Sequence, residues 1–237
     1  MLTLIGLGLN DEKDISIKGV GRVKSADYVY LEKYTSALQC SLEDLEKFYE
    51  KKVIPVEREF VEDGSVILDQ ATDHNVALLI VGDVFAATTH MALYLQAVEQ
   101  GIEVQVVYNA SILTAVGITG LSLYKFGKTI SVPFHETETV QLIKENYPLH
   151  TLCLLDLDPK EKKFMEASDA ITRLIQQGLD SETKIVVCAQ LGSEKPMIFY
   201  TEAKNVLPLQ KFPQCLVIPG ELHFMEEEAL KFWRGKY

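Results

Sequence analysis

No uninterrupted apolar stretch in the 237 residues approaches the length of a bilayer crossing, and the opening MLTLIGLGLNDEKD lacks a basic leader and a cleavage site. Both absences predict a cytoplasmic protein with no membrane partner. Basic residues are few, 23 against 34 acidic ones, and the formal net charge of -11 disfavours nonspecific attraction to phosphate backbones. No direct nucleic-acid partner is expected. Cysteine is scarce and dispersed: Cys40, Cys153, Cys188 and Cys215 stand far apart, and at least three fall in apolar, strand-like runs where cysteine behaves as a small hydrophobe. Neither a disulfide framework nor a zinc site is indicated. The histidines, His74, His90, His135, His150 and His223, show no metal-ligand spacing, so no metal is expected either. Repeats and low-complexity tracts are missing, and so are a Walker loop and a complete dinucleotide motif.

What is present is an apolar content of 47%, in a chain long enough for one large domain or two that each bury a core. TLIGLG halts at glycine and ISIKGVGRVKSA follows with helix-compatible spacing; DYVYLE reads as a second strand and SLEDLEKFYEKK as an amphipathic helix. GSVILDQATDH is helical, VALLIV is the clearest buried strand, THMALYLQAVEQG is a helix stopping at Gly101, and EVQVVY returns as a strand. Alternating strands and helices favour a parallel sheet covered on both faces. Beyond SILTAVGITG the pattern changes, and TISVPF, TLCLLDLD, KIVVCAQLG, MIFYT and CLVIPG follow as strands, several without an intervening helix. The expectation is an N-terminal α/β domain over residues 1–112 and a C-terminal α/β domain with a mixed sheet over 113–237.

Four loops carry candidate chemistry. IGLGLNDEKDIS places Gly6 and Gly8 at the end of the first strand, where close backbone approach is possible; alternatively it is a plain turn in which Asp14 or Ser16 caps the next helix. VGDVFAATTH ends the buried strand on Gly82 and Asp83, at the edge where open α/β sheets place ligands, with threonines able to cap the helix beyond. NASILTAVG offers Asn109 and Ser111, common turn and cap residues that could equally hydrogen-bond a polar ligand. IPGELHF sets His223 beside a turn near the end.

Taken together, LIGLGLNDEKDISIKGVGRVKSADYVYLEKYTS, GDVFAATTH, YNASILTAVGITGLSLYKFGKTISVPF and IPGELHFMEEEAL resemble the diphthine synthases. These belong to the tetrapyrrole-methylase-like class of S-adenosylmethionine-dependent methyltransferases. The resemblance spans almost the whole chain, and the third stretch is its most specific part. It implies the two-domain tetrapyrrole-methylase-like fold, a homodimer, and the methyl donor S-adenosyl-L-methionine folded into a cleft between the domains, leaving as S-adenosyl-L-homocysteine. By matching motifs, donor contacts fall on Leu9, Asp83, Ala86, Ser111 and Ile112, with Leu157, Tyr200 and His223 on the second-domain side. No catalytic base is identified. One departure is Val84, where family members commonly carry proline after Gly-Asp. The implied substrate is translation elongation factor 2 bearing a 3-amino-3-carboxypropyl group on a histidine, whose amine is methylated to diphthine in diphthamide biosynthesis. Without the long extension of eukaryotic members, an archaeal-type enzyme that stops short of the methyl ester is expected. The competing readings are a methyltransferase for a tetrapyrrole or corrin precursor, which would want arginines near the cleft to meet carboxylates, and a nonenzymatic adenosyl-ligand sensor.

Overall fold

The computed structural model describes residues 1–34, 36–135, 138–158, 161 and 163–235; Thr35, within the first matching stretch, lies outside them. The chain divides into two compact units, Met1–Ile112 and Leu113–Tyr237.

The first unit runs β1 (Leu2–Gly6), α1 (Ile17–Ser25), β2 (Tyr28–Glu32), α2 (Leu42–Tyr49), β3 (Ile54–Val56), α3 (Arg58–Asp63), α4 (Ser65–Asp73), β4 (Val76–Ile80), α5 (Met91–Glu99) and β5 (Val104–Val107). The strands form one parallel sheet in the order β3-β2-β4-β1-β5. β1 and β4 are buried at every residue, as strands covered on both faces must be, so apart from Thr3 they are written as apolar runs. One face packs Ile5, Leu79, Val23 and Tyr49 under α1 and α2. The other packs Leu4, Leu78, Ile67 and Leu93 under α3, α4 and α5. Ser16 caps α1, accepting from the Gly19 N–H at 3.1 Å, which resolves the choice between Asp14 and Ser16.

The short α6 (Ile112–Ala115) leads into the second unit, which contains β6 (Ile130–Val132), α7 (Thr139–Asn146), β7 (Thr151–Leu155), β8 (Leu157–Asp158), β9 (Lys163–Phe164), α8 (Ala167–Gln176), β10 (Lys184–Ala189), β11 (Met197–Glu202), β12 (Gln214–Ile218) and α9 (Phe224–Lys231). Its main sheet is mixed, in the order β11-β10-β12-β7-β6, with only β6 and β7 parallel. The run TLCLLDLD is not one strand. It breaks at Asp156, whose carboxylate accepts the backbone N–H of Phe134 and of Leu157, so Leu157 enters a separate two-stranded ribbon with β9. Cys153, Cys188 and Cys215 are buried strand residues, and Cys188 and Cys215 lie opposite one another across β10 and β12.

Candidate functional site

Strand order singles out one place in the first unit. β1 leads through α1 to β2 across one face, β4 leads through α5 to β5 across the other, and β1 and β4 are neighbours. Their carboxyl ends therefore frame the switch point at which open α/β sheets hold ligands. The two loops there are tied together. Gly8 and Gly82 exchange backbone hydrogen bonds of 3.1 and 2.7 Å as an isolated antiparallel bridge, each at a positive φ of 82° or 83° that favours glycine.

Around that bridge lies a knot of side-chain to backbone bonds. The Asp14 carboxylate accepts from the N–H of Leu9 at 3.1 Å and of Asn10 at 2.8 Å, so it shapes the first loop rather than capping a helix. Asp83 accepts from the Phe85 N–H at 3.2 Å through one oxygen and from the Asn109 N–H at 2.9 Å through the other. The Asn109 amide donates to the carbonyls of Gly6 and Asp14, both at 2.9 Å, while its oxygen accepts from the Ala110 N–H at 2.7 Å. Asn109 thus joins the loops after β1, β4 and β5. Its turn role was legible in the sequence; its hold on the other two loops was not, because only the strand order puts them within reach.

The knot encloses Gly82, which is buried. A Cβ built there would lie at ordinary contact distance, 3.9 Å, from the Ala110 carbonyl oxygen and from Leu9 Cδ2, so the positive φ rather than a lack of room calls for glycine. Gly6 is the opposite case, since a Cβ would stand 2.7 Å from the Gly82 carbonyl oxygen and push the loops apart. Leu9, Asp83, Ala86 and Ile112 are half-buried and Ser111 is buried. Leu9, Asp83 and Ala86 lie in the two bridged loops, and Ser111 and Ile112 follow Asn109 along the chain.

Two expectations about this loop are corrected. The threonines do not cap α5, which has no side-chain cap bond; Thr88 donates instead to the Val84 carbonyl at 2.8 Å. The helix begins at Met91, two residues later than read. Val84, where the family resemblance leads to an expectation of proline, is fully buried in the core cluster beneath the loop, which anchors the turn by packing. His90 is buried 3.4 Å from the Tyr34 hydroxyl, and burial pulls its pKa down to about 4, so it is neutral at physiological pH.

In the second unit the three predicted residues do not share one place. Tyr200 sits on the edge strand β11 with the Arg234 guanidinium 5.7 Å from its ring centre, in a polar pocket completed by Lys184, Glu202 and Asn205. Leu157 follows the carboxyl end of β7, whereas His223 follows the carboxyl end of the antiparallel β12, so these two stand toward opposite ends of the sheet. His223 is the exposed N-cap of α9, its ring accepting from the Met225 N–H at 3.4 Å.

A buried group missed by sequence reasoning stands behind His223. Glu226 accepts from the N–H of His223 at 2.8 Å, the N–H of Ser122 at 2.9 Å, Lys125 Nζ at 2.6 Å and His150 Nε2 at 3.1 Å. Burial by itself would raise its carboxyl, but the His223 N–H, the Lys125 ammonium and Ser122 outweigh burial and hold it far below the usual carboxylate range. The spacing of His223 and Glu226, an N-cap and its third helical residue, was the available signal.

The profile of the Tetrapyrrole (Corrin/Porphyrin) Methylases matches residues 1–206. A protein of Methanocaldococcus jannaschii named diphthine synthase is 43% identical over 256 residues, covering 98% of each chain. A protein of Dictyostelium discoideum named diphthine methyl ester synthase is 38% identical over 275 residues, covering 100% of this chain and 99% of its own. A crystal structure of diphthine synthase superposes with a TM-score of 0.93 at 38% identity, covering 98% of this chain and 95% of the other. With the profile, the full-length relatives and the fold in agreement, the chain belongs to the tetrapyrrole (corrin/porphyrin) methylase family, among its diphthine synthases.

Proposed function

We propose that this methyltransferase binds S-adenosyl-L-methionine at the loops bridged by Gly8 and Gly82 and methylates the amine of the 3-amino-3-carboxypropyl-histidine of elongation factor 2. The observation that carries the reading is the pair of loops bridged by Gly8 and Gly82 at the switch point, held to the loop after β5 by Asp83 and Asn109. Leu9 and Ala86 offer apolar contact there, Asp83 and Asn109 keep the loops in register, and Ser111 and Ile112 continue the wall. The family motifs alone assign donor contacts to Leu157, Tyr200 and His223, which the second sheet does not bring to one place. The domain boundary at residue 112, a donor cleft between the domains, a homodimer and a cytoplasmic location belong to the same reading. No helix among the described residues is long and apolar enough to cross a membrane.

When bound, the donor supplies a methyl group on a sulfonium. The acceptor amine must present its lone pair in line with that carbon, and the C–S electron pair returns to sulfur as S-adenosyl-L-homocysteine forms. The chain's contribution is to hold both partners in this geometry and keep the loops fixed, which can supply most of the acceleration. The spare proton of the amine passes to solvent.

The test is the intact mass of elongation factor 2 carrying the aminocarboxypropyl histidine, before and after incubation with enzyme and donor. Up to three methyl increments are expected. A fourth would assign the methyl ester activity named for the Dictyostelium relative, and none would overturn the reading. Asp83→Ala is expected to weaken donor binding about tenfold by calorimetry, because the Phe85 and Asn109 N–H groups lose their acceptor. The folded state should survive, at a cost of about 1–2 kcal/mol. Unchanged affinity would remove Asp83 from the site.

A further inference from the structure

The turn 219–223 that presents His223 rests on a second segment of the same unit. Gly220 lies so close to residues 148–149 that a Cβ would stand 2.1 Å from the Pro148 carbonyl oxygen, and the Glu221 N–H donates to that same oxygen at 2.9 Å. His150 completes the seat. It is fully buried, and the Gly220 N–H points at its Nδ1 at 2.9 Å while its Nε2 faces Glu226 Oε1 at 3.1 Å. An N–H must find a lone pair, so Nδ1 is unprotonated and the ring proton is on Nε2, donated to the carboxylate. Both ring nitrogens are satisfied only in this neutral tautomer. Lys125 closes the ring of contacts by donating to the Glu221 carbonyl at 2.7 Å as well as to Glu226.

We propose that His150 is a positioning residue for His223: in its Nε2–H form it clamps Gly220 to Glu226 and fixes the turn, and its protonation releases the turn. The clamp matters to donor binding only through the proposed role of His223, so the claim about affinity rests on that reading. The groups facing the ring are Glu226 from α9, Lys125 from the 123–125 turn, the Gly220 N–H, and the edge-on ring of Phe126 at 5.3 Å. Glu221, in the same turn, accepts from the Tyr147 hydroxyl at 3.3 Å. Burial lowers the imidazole pKa more than Glu226 raises it, and the Lys125 ammonium lowers it further, so the clamp holds at neutral pH. A second proton would land on Nδ1 against the Gly220 N–H, where two donors would meet.

The experiment combines histidine nitrogen NMR with donor calorimetry from pH 5 to 8 on the full chain. The wild type is expected to show the Nε2–H tautomer of His150, with the Gly220 amide resonance following its titration. Donor affinity should fall about tenfold over the same transition. His150→Asn keeps an acceptor for Gly220 at the place of Nδ1 and cannot titrate; it should bind the donor within about threefold of wild type at pH 8, without the acid transition. His150→Ala should lose about tenfold in affinity at pH 8, with its amide spectrum showing a folded chain. An Nδ1–H tautomer, a Gly220 amide indifferent to His150, or an unaltered acid transition in His150→Asn would overturn the proposal. Should the wild type bind no donor at any pH while Gly220 still follows His150, the donor reading fails and the clamp stands.

Discussion

Glu226→Ala is expected to destabilise the second unit by about 3–4 kcal/mol, measured by urea unfolding at pH 7.5. The carboxylate is 1% exposed and is shared by two backbone N–H groups, a lysine and a histidine. Its removal takes the acceptor from all four donors. The Lys125 side chain is 26% exposed and can turn toward water, which keeps the loss from being greater. The two backbone groups cannot. Glu226→Gln preserves the volume yet offers an NH2 to a site built of donors, so it should recover less than half the loss.

The wild type should also be acid-sensitive in two stages. His150 has a folded pKa below its unfolded value, so its contribution is complete above an ordinary imidazole pKa of about 6.5 and erodes as pH falls below it. Glu226 is likewise depressed, and its contribution erodes as pH falls below an unfolded carboxyl value of about 4.3. A stability curve flat from pH 7 to 4 would contradict the His150 assignment, and one flat below pH 4 would contradict that of Glu226.

Asn109→Ala should have the largest effect on the donor site. It deprives the Gly6 and Asp14 carbonyls of their amide donor and frees the loop after β5 from the loop after β1. About 2 kcal/mol of loop order is lost, discounted because part of the knot is exposed to water. If binding must restore that order, the affinity for S-adenosyl-L-methionine drops about 30-fold. Asn109→Asp probes the same bonds differently, since it keeps the acceptor for Ala110 and replaces the donating NH2 by a carboxylate facing two carbonyl oxygens. It should be as damaging as alanine or worse. Affinities for both variants within about threefold of wild type would show that donor binding does not depend on the knot.

Legibility along the chain follows the range of the interaction involved. The runs TLIG and VALLI announce β1 and β4 because a parallel strand buried on both faces needs nothing but apolar residues. β3 is invisible in the same terms: three residues, two of them exposed and one of them Pro55, at the edge of the sheet. The break in TLCLLDLD was also hidden, since Asp156 reads as an ordinary polar residue until Phe134, 22 positions away, supplies its partner. Ser16, by contrast, caps a helix that starts at the next residue, which makes it readable once Asp14 is known to be occupied elsewhere.

The sequence by itself determined the α/β class, the mixed second sheet and the family, because strand periodicity, glycine stops and motif wording are local and survive without coordinates. It also marked the stretches that matter. Only the tertiary structure decided which atoms in those stretches meet. Asp83 and Asn109 are 26 residues apart, and His150 and Glu226 are 76 apart. Each pair forms because of where its loops and elements fall in the fold, and the hydrogen bonds of such pairs leave no periodic trace in either partner's neighbourhood. The same holds for Gly82. That it is glycine was plain from the letters; that it bridges to Gly8 beside Leu9 and Ala110 depends on two other loops arriving at the same edge of the sheet.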